Sequence, residues 1–385
     1  MALSQVGLER LNTDTTNKIG VDKNLIINGE FIVDQRMGGA LTAITPSGGV
    51  DYTCDRWHSS NNSGEAARIS FQTVSGDTPN SNYRQSIKLD CTTAMGSPSG
   101  NNWMGFCQFI ESQNIRFLGH GTSTAKPITL QFWVKSTKTG TATVQLLRHD
   151  ASREYLAEYT INASNTWEKK TITIPGDTSG TEAAFDNGRG FKLCFVLFAG
   201  SDRHGTVNNW RAQNGGYFGA SANQVNLLDS TSNNIFFTGI QLEEGTEPTG
   251  FQHRSISSEL KLCKRYFNNF GATTATGTSA TYMLIAGGYA RFGSANSIAL
   301  QRIFYDVEMR ANPTVTYGRN STNDDNNVMR WSSAGSNPVV LLGSQEGSNK
   351  CGFNLTRYNS DAGQTYNDGD YYAHQISKFT ANAEL

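Results

Sequence analysis

Charge is scarce in this 385-residue chain: Asp, Glu, Lys and Arg make up 17% of it, against about a quarter in an average soluble domain. The formal net charge is −1, and the lysines and arginines are scattered. No basic tract or global field points to nucleic acid or anionic lipid. No run of about 18 apolar residues exists to cross a bilayer, and the opening MALSQVGLERLNTDTT lacks the apolar core of a signal peptide. The six cysteines (Cys54, Cys91, Cys107, Cys194, Cys263, Cys351) are dispersed without CxxC or zinc-like spacing. In a reducing compartment they are expected to be free thiols that pack as small apolar residues. The six histidines form neither HExxH nor HxH. P-loop, GxGxxG and GxSxG patterns are missing as well, so nucleotide, metal and serine-hydrolase chemistry lack their usual supports.

Glycine is plentiful at 39 residues, and Ser, Thr and Asn dominate the polar positions. These residues compete with helix and favour strands and turns. From Asn24 to about Gln252 strand follows strand. In PITLQFWVKS, Leu130, Phe132 and Val134 share one face and Gln131, Trp133 and Lys135 the other. In TWEKKTITIPG, Ile172 and Ile174 alternate with Lys169, Thr171 and Thr173. A period of two marks half-buried antiparallel strands. GFKLCFVLFAG is apolar on both faces and is predicted to be a central strand. Turn signals at Thr139-Gly140, Pro175-Gly176-Asp177 and Asn187-Gly188 separate the runs. The predicted class is all-β: an N-terminal jelly-roll sandwich over 24–252, a connecting helix, and a smaller C-terminal β-sandwich over 271–385.

The helix is predicted within the connecting segment 253–270, over SISSELKLCKRYFNNF, residues 255–270. Ile256, Leu260, Cys263, Phe267 and Phe270 recur at intervals of three and four. Ser255 is placed to cap its start, and Glu259 sits in the first turn where the dipole favours a carboxylate. Residues 1–23 form a polar leader with a thin apolar series (Leu3, Val6, Leu11). The leader is too weak to fold alone and is expected to dock on another subunit, the alternative being that it folds back on its own domain.

Several blocks occur in a familiar order: NLIINGEFIVDQR, YTCDRWH, ITLQFWVKSTKTGTATVQL, TWEKKTITIPGDTSG, IFFTGIQLEEGTEPTGFQHR, ELKLCKRYF, VEMRANPTVTYG and FTANAEL. Together they resemble the tail-fibre and appendage proteins of tailed bacteriophages, including cyanophages. NLIINGEF and IFFTGIQLEEG resemble the first and last strands of carbohydrate-binding jelly rolls. The resemblance implies a virion protein assembled in the host cytoplasm, held to other virion proteins through residues 1–23, with homotrimers the usual state. It also implies neighbouring first and last strands that often hold a structural calcium, with Asn28, Glu30 and Glu243 near the matching places. The usual acidic pair is replaced by Thr238-Gly239, too few carboxylates for calcium affinity, so no cofactor is expected.

Sugar recognition needs an aromatic face with amides and charged groups around it. RHGTVNNWRAQNGGYFGASANQ supplies Trp210, Tyr217 and Phe218 among Asn208, Asn209, Arg211, Gln213 and Asn214. The carbohydrate-binding candidates are therefore Trp210, Tyr217, Phe218, Asn209 and Arg211, although a subunit contact or a loop anchor would use the same residue types. Trp57 and Trp133 are expected to pack, Trp167 to pack at a strand start, and Trp331 shares Trp210's ambiguity. A glycosidase would need opposed carboxylates, and the spacing of Glu111, Asp150, Glu154, Glu158, Asp177 and Asp202 pairs none of them. The expected function is a non-enzymatic tail fibre or appendage adhering to host glycan. The alternatives are a purely architectural connector, tail-tip or capsid-decoration protein, or a glycan depolymerase.

Overall fold

The computed structural model describes residues 23–43, 50–62, 68–213, 219–271, 283–289, 297–318, 350–358, 371–376 and 378–385. In chain order the first strands are β1 (Thr42–Ala43), β2 (Val50–Tyr52), β3 (Trp57–Asn61), β4 (Ile69–Ser75), β5 (Gln85–Cys91), β6 (Trp103–Glu111) and β7 (Ile128–Ser136). There follow β8 (Gly140–Arg148), β9 (Arg153–Ile161), β10 (Glu168–Ile174), β11 (Arg189–Ala199), β12 (Trp210–Ala212) and β13 (Asn234–Glu244). They form a six-stranded sheet, β1-β4-β5-β13-β7-β10, and a seven-stranded sheet, β12-β9-β8-β11-β6-β3-β2. The protein is all-β.

The alternation predicted for β7 and β10 sets the core. Leu130, Phe132 and Val134 are fully buried, while Lys169, Thr171 and Thr173 on β10 are exposed and Ile174 is buried. β11 lies at the centre of the seven-stranded sheet and is buried along all but its first residue, as its two-faced apolarity predicts. Between the sheets, Phe132 meets Phe195 at a centroid distance of 4.9 Å, Phe195 meets Phe237 at 4.6 Å, and Phe106 stacks on Phe237 at 6.1 Å. Burying each such ring contributes about 1.5–3 kcal/mol. Trp57 is fully buried, as expected of a packing residue.

Residues 24–31 do run beside β13, although they are not a regular strand. Leu25 N donates to Leu242 O (2.9 Å) and Ile240 N to Gly29 O (3.0 Å). The approach needs glycine: a Cβ on Gly29 would strike the Ile240 carbonyl. At that point β13 shifts register between Thr238 and Gln241, with Gly239 at φ +62°. Such a bulge bends the strand and leaves room for the incoming chain.

One expectation about the cysteines is overturned. Cys107 and Cys194 are joined by a disulfide because antiparallel β6 and β11 place them directly opposite each other. Their separation of 87 residues gave no hint of it. Cys54, Cys91 and Cys263 are buried free thiols and Cys351 is an exposed one.

The chain divides into two compact units. Unit 1 is 1–31, 43–51 and 58–254, and unit 2 is 32–42, 52–57 and 255–385. Segments 32–42 and 52–57, expected within the jelly roll, belong to the second unit through polar ties. Gln35 Nε2 donates to Asp55 Oδ1 (2.6 Å) and to Phe267 O (3.0 Å). Glu384 is held by Arg36 (3.1 Å) and by the fully buried Arg56. The Arg56 guanidinium also lies 3.4 Å from the Tyr266 ring centroid.

The helix of unit 2, α1, is Ile256–Lys264, shorter than predicted. Ser255 caps it by accepting from Ser258 N (3.1 Å). The Asn268 side chain donates to Lys264 O (2.7 Å) and closes the last turn. Phe267–Gly271 is instead strand β14, and Ile256, assigned to the apolar stripe, is 55% exposed. The remaining strands are β15 (Met283–Tyr289), β16 (Ser297–Phe304), β17 (Thr314–Gly318), β18 (Gly352–Tyr358), β19 (Tyr371–Ile376) and β20 (Lys378–Asn382). They pair as β14-β20-β17, β15-β19 and β16-β18. The leader's first 22 residues and Trp331 lie outside the described residues.

Candidate functional site

β12 is an edge strand three residues long, paired antiparallel to β9 with Trp210 opposite Tyr155 and Arg211 opposite Glu154. Successive side chains of a strand point to opposite faces, so Trp210 and Arg211 face different ways. The half-buried Trp210 ring sits 5.6 Å from Tyr155 and 5.6 Å edge-on from His120. Its indole N–H donates to Pro175 O at 2.6 Å, which fixes the ring's orientation. Asn208 and Asn209 beside it are exposed, and Asn208 adopts φ +59° in the turn leading into the strand. His120 is held at Nε2 by Lys126 O (2.9 Å), and burial lowers its pKa to about 4, leaving it neutral at pH 7.

On the other face Arg211 pairs with the buried Glu154, which also accepts from Gln145 Nε2 (2.5 Å). Lys192 lies across the same face of β11, buried, and desolvation lowers its pKa to about 7. Glu158 accepts from Ser221 and from Asn223 (3.0 Å), tying residues 221–223 over the sheet. Of the five candidates, the structure thus brings Trp210, Asn209 and Arg211 onto one edge. Tyr217 and Phe218 lie outside the described residues, as does Asn214. Tyr155, His120 and Pro175, which orient Trp210, were invisible in the sequence because they come from three distant segments.

No protein-family model matches the chain. No curated protein matches it in sequence. Among solved structures it is similar to the enzymatically active domain of bacteriophage CBA120 tailspike protein 4, at 14% identity and TM-score 0.29, over 57% of this chain and 21% of that one. It is also similar to a putative sugar-binding protein from Bacteroides thetaiotaomicron (12% identity, TM-score 0.32, 58% of this chain and 100% of that one). A third is TmCBM61 in complex with β-1,4-galactotriose (9%, 0.28, 58% and 100%). The match takes in about a fifth of the tailspike chain.

The carboxylates considered for catalysis have partners within the chain, Asp150 and Asp177 sharing Arg148. Asp177 joins Arg148 (2.9 Å) and Arg153 (2.7 Å), and Glu111 accepts from Gln113 (2.6 Å). Asp150 lies 3.9 Å from Arg148, and Asp202 packs where a Gly100 Cβ would go. Glu30 accepts from Arg84 N (2.5 Å) and contacts His253 (3.2 Å), while Glu243 is filled by Thr249 N (2.7 Å), Thr249 Oγ1 (2.6 Å) and Gln241 (2.9 Å). Among the described residues no group of three or more His, Cys, Asp or Glu could hold a metal. No described helix is long and apolar enough to cross a membrane.

Proposed function

We propose that the chain is a non-enzymatic structural protein of a tailed-phage particle, a tail fibre or appendage. Its leader would attach it to other virion proteins, self-association would make it a homotrimer, and unit 1 would adhere to host-surface glycan. The observation that carries the glycan part is the fixed indole of Trp210: half-buried on an edge strand, its N–H held by Pro175 O and exposed amides beside it. An aromatic side chain whose orientation is already set loses little entropy on stacking against a pyranose. The virion part rests on the ordered sequence blocks that resemble appendage proteins. Retention on an array of host polysaccharide tests the reading. Trp210→Ala is expected to weaken retention at least about tenfold with little change in unit 1's β-sheet signal, and equal retention of the variant would refute it.

A purely architectural role is favoured by one observation. The Trp210 N–H and the Glu154 carboxylate are both engaged within the chain, as they would be in a part that needs only rigidity. An array that retains nothing, together with normal incorporation into particles, would select that role.

A further inference from the structure

The two loops that hold Trp210 and His120 also carry two phenylalanines out into water. Phe185 is 79% exposed and Phe117 is 52% exposed. Phe185 does not ride on a loose loop. The fully buried Arg148 donates from Nη1 to Asp177 Oδ2 (2.9 Å) and Ser179 O (2.8 Å), and from Nη2 to Thr181 O. Arg153 donates twice to Asp177, at 2.7 and 3.0 Å. Arg116 Nη1 donates to Ala183 O (2.6 Å), and Gln113 N to Asp186 O (2.9 Å). Hydrogen bonds to buried charged groups are among the strongest a fold makes. The fold therefore fixes residues 177–186 firmly and yet leaves the ring beside Asp186 bare. The last two bonds also tie segment 113–117, and with it Phe117, to the Phe185 loop.

We infer that Phe185 and Phe117 form a second stacking contact for a neutral glycan at this end of unit 1. The inference rests on the glycan reading above and adds residues to it. Size argues against a protein partner: two rings at these exposures offer roughly 200–300 Å², whereas a stable protein interface takes about 800 Å² from each side. Charge argues against an anionic membrane. Arg116 is paired with Glu182 (3.2 Å) and Lys126 with Glu244 (3.2 Å), so the cations beside Phe117 are neutralised, and Asp186 next to Phe185 adds a negative charge. What remains is the open Phe185 ring and a Phe117 ring with Lys126 Nζ 5.7 Å over its face, with Asn114, Glu182 and Asp186 exposed in the same two segments, groups that serve sugar hydroxyls.

The test places the full chain, Phe185→Ala, Phe117→Ala, the double variant and Trp210→Ala on an array of neutral β-linked gluco- and galacto-oligosaccharides. Phosphatidylglycerol vesicles and sedimentation velocity run in parallel. Each single phenylalanine variant is expected to weaken retention about threefold to tenfold, the loss of one stacked ring. The double variant should lose more, with its melting midpoint unchanged because both rings stand largely in water. Retention by the double variant equal to that of the unsubstituted chain, while Trp210→Ala loses it, overturns this inference alone. No retention of the unsubstituted chain overturns it together with the glycan reading. Vesicle binding or self-association that disappears in Phe185→Ala overturns it in favour of a lipid or a second copy.

Discussion

The two units are held together by different physics. Unit 1 closes on interlocked phenylalanines from two facing sheets, with arginine ties at its loops and at the edge strand β12. Unit 2, over its described residues, gathers three separate chain segments around buried charge: Arg56 and Arg36 on Glu384, and Gln35 on Asp55. Apolar packing tolerates small shape changes at a graded cost. A buried ion pair is all-or-none, since removing one partner leaves the other's charge stranded. One chain thus contains a body that closes on apolar packing and another that closes on buried charge.

The sharpest way to break that contrast is a pair of substitutions. Arg56→Met is expected to cost unit 2 about 3–5 kcal/mol and to expose residues 378–385 to rapid hydrogen exchange while β11 stays protected. Phe195→Ala should cost unit 1 about 3–5 kcal/mol and reverse the pattern. Equal loss of protection in both units in either variant would show that they do not hold together independently.

A slightly smaller effect comes from pH, and its sign differs between the units. In unit 2, burial raises the Asp55 carboxyl from 3.8 to about 7, against the pull of Arg36. A raised folded-state pKa gives stability that is complete below 3.8 and disappears as pH climbs through about 7, at most roughly 4 kcal/mol. In unit 1, burial lowers Lys192 from 10.5 to about 7 and His120 from 6.5 to about 4. Those contributions are lost as pH falls, the first between 10.5 and 7 and the second between 6.5 and 4. Denaturation followed from pH 4 to 9 should therefore show unit 1 gaining and unit 2 losing. Asp55→Asn should flatten the second slope, and Lys192→Met the alkaline part of the first. Parallel slopes would contradict the assignment.

Smaller still, reducing the Cys107–Cys194 bond is expected to cost unit 1 about 2–4 kcal/mol, read as a shift in its denaturation midpoint that Cys107→Ala reproduces. The least effect is Ser255→Ala, about 1 kcal/mol from the lost cap of α1, measurable in the same experiment.

What was legible in the sequence was whatever depends on near neighbours. Alternation in 128–136 and 168–174 marked β7 and β10 as strands with two unlike faces, the two-sided apolarity of 190–199 marked a central strand, and Ser255 announced its own cap. The far end of the helix was misjudged because Phe267 and Phe270 continue the three-four spacing. The strand partner β20, more than a hundred residues away, outweighs that local pattern. The disulfide, the Arg56 cluster and the supports of Trp210 were hidden for the same reason. Each joins segments whose adjacency is created only by the sheets. The exposed Phe185 left no mark at all, since a lone aromatic between Ala184 and Asp186 looks like any loop residue.

The order in which the chain visits its units has a consequence for inheritance. It passes between them after residues 31, 42, 51, 57 and 254. A recombination event that exchanged everything upstream of residue 253 would carry away Gln35, Arg36, Asp55 and Arg56, and the downstream half would arrive without its anchors. Exchanging the two halves as cassettes would part Glu384 and Phe267 from the side chains that hold them unless the incoming half carried the same anchors.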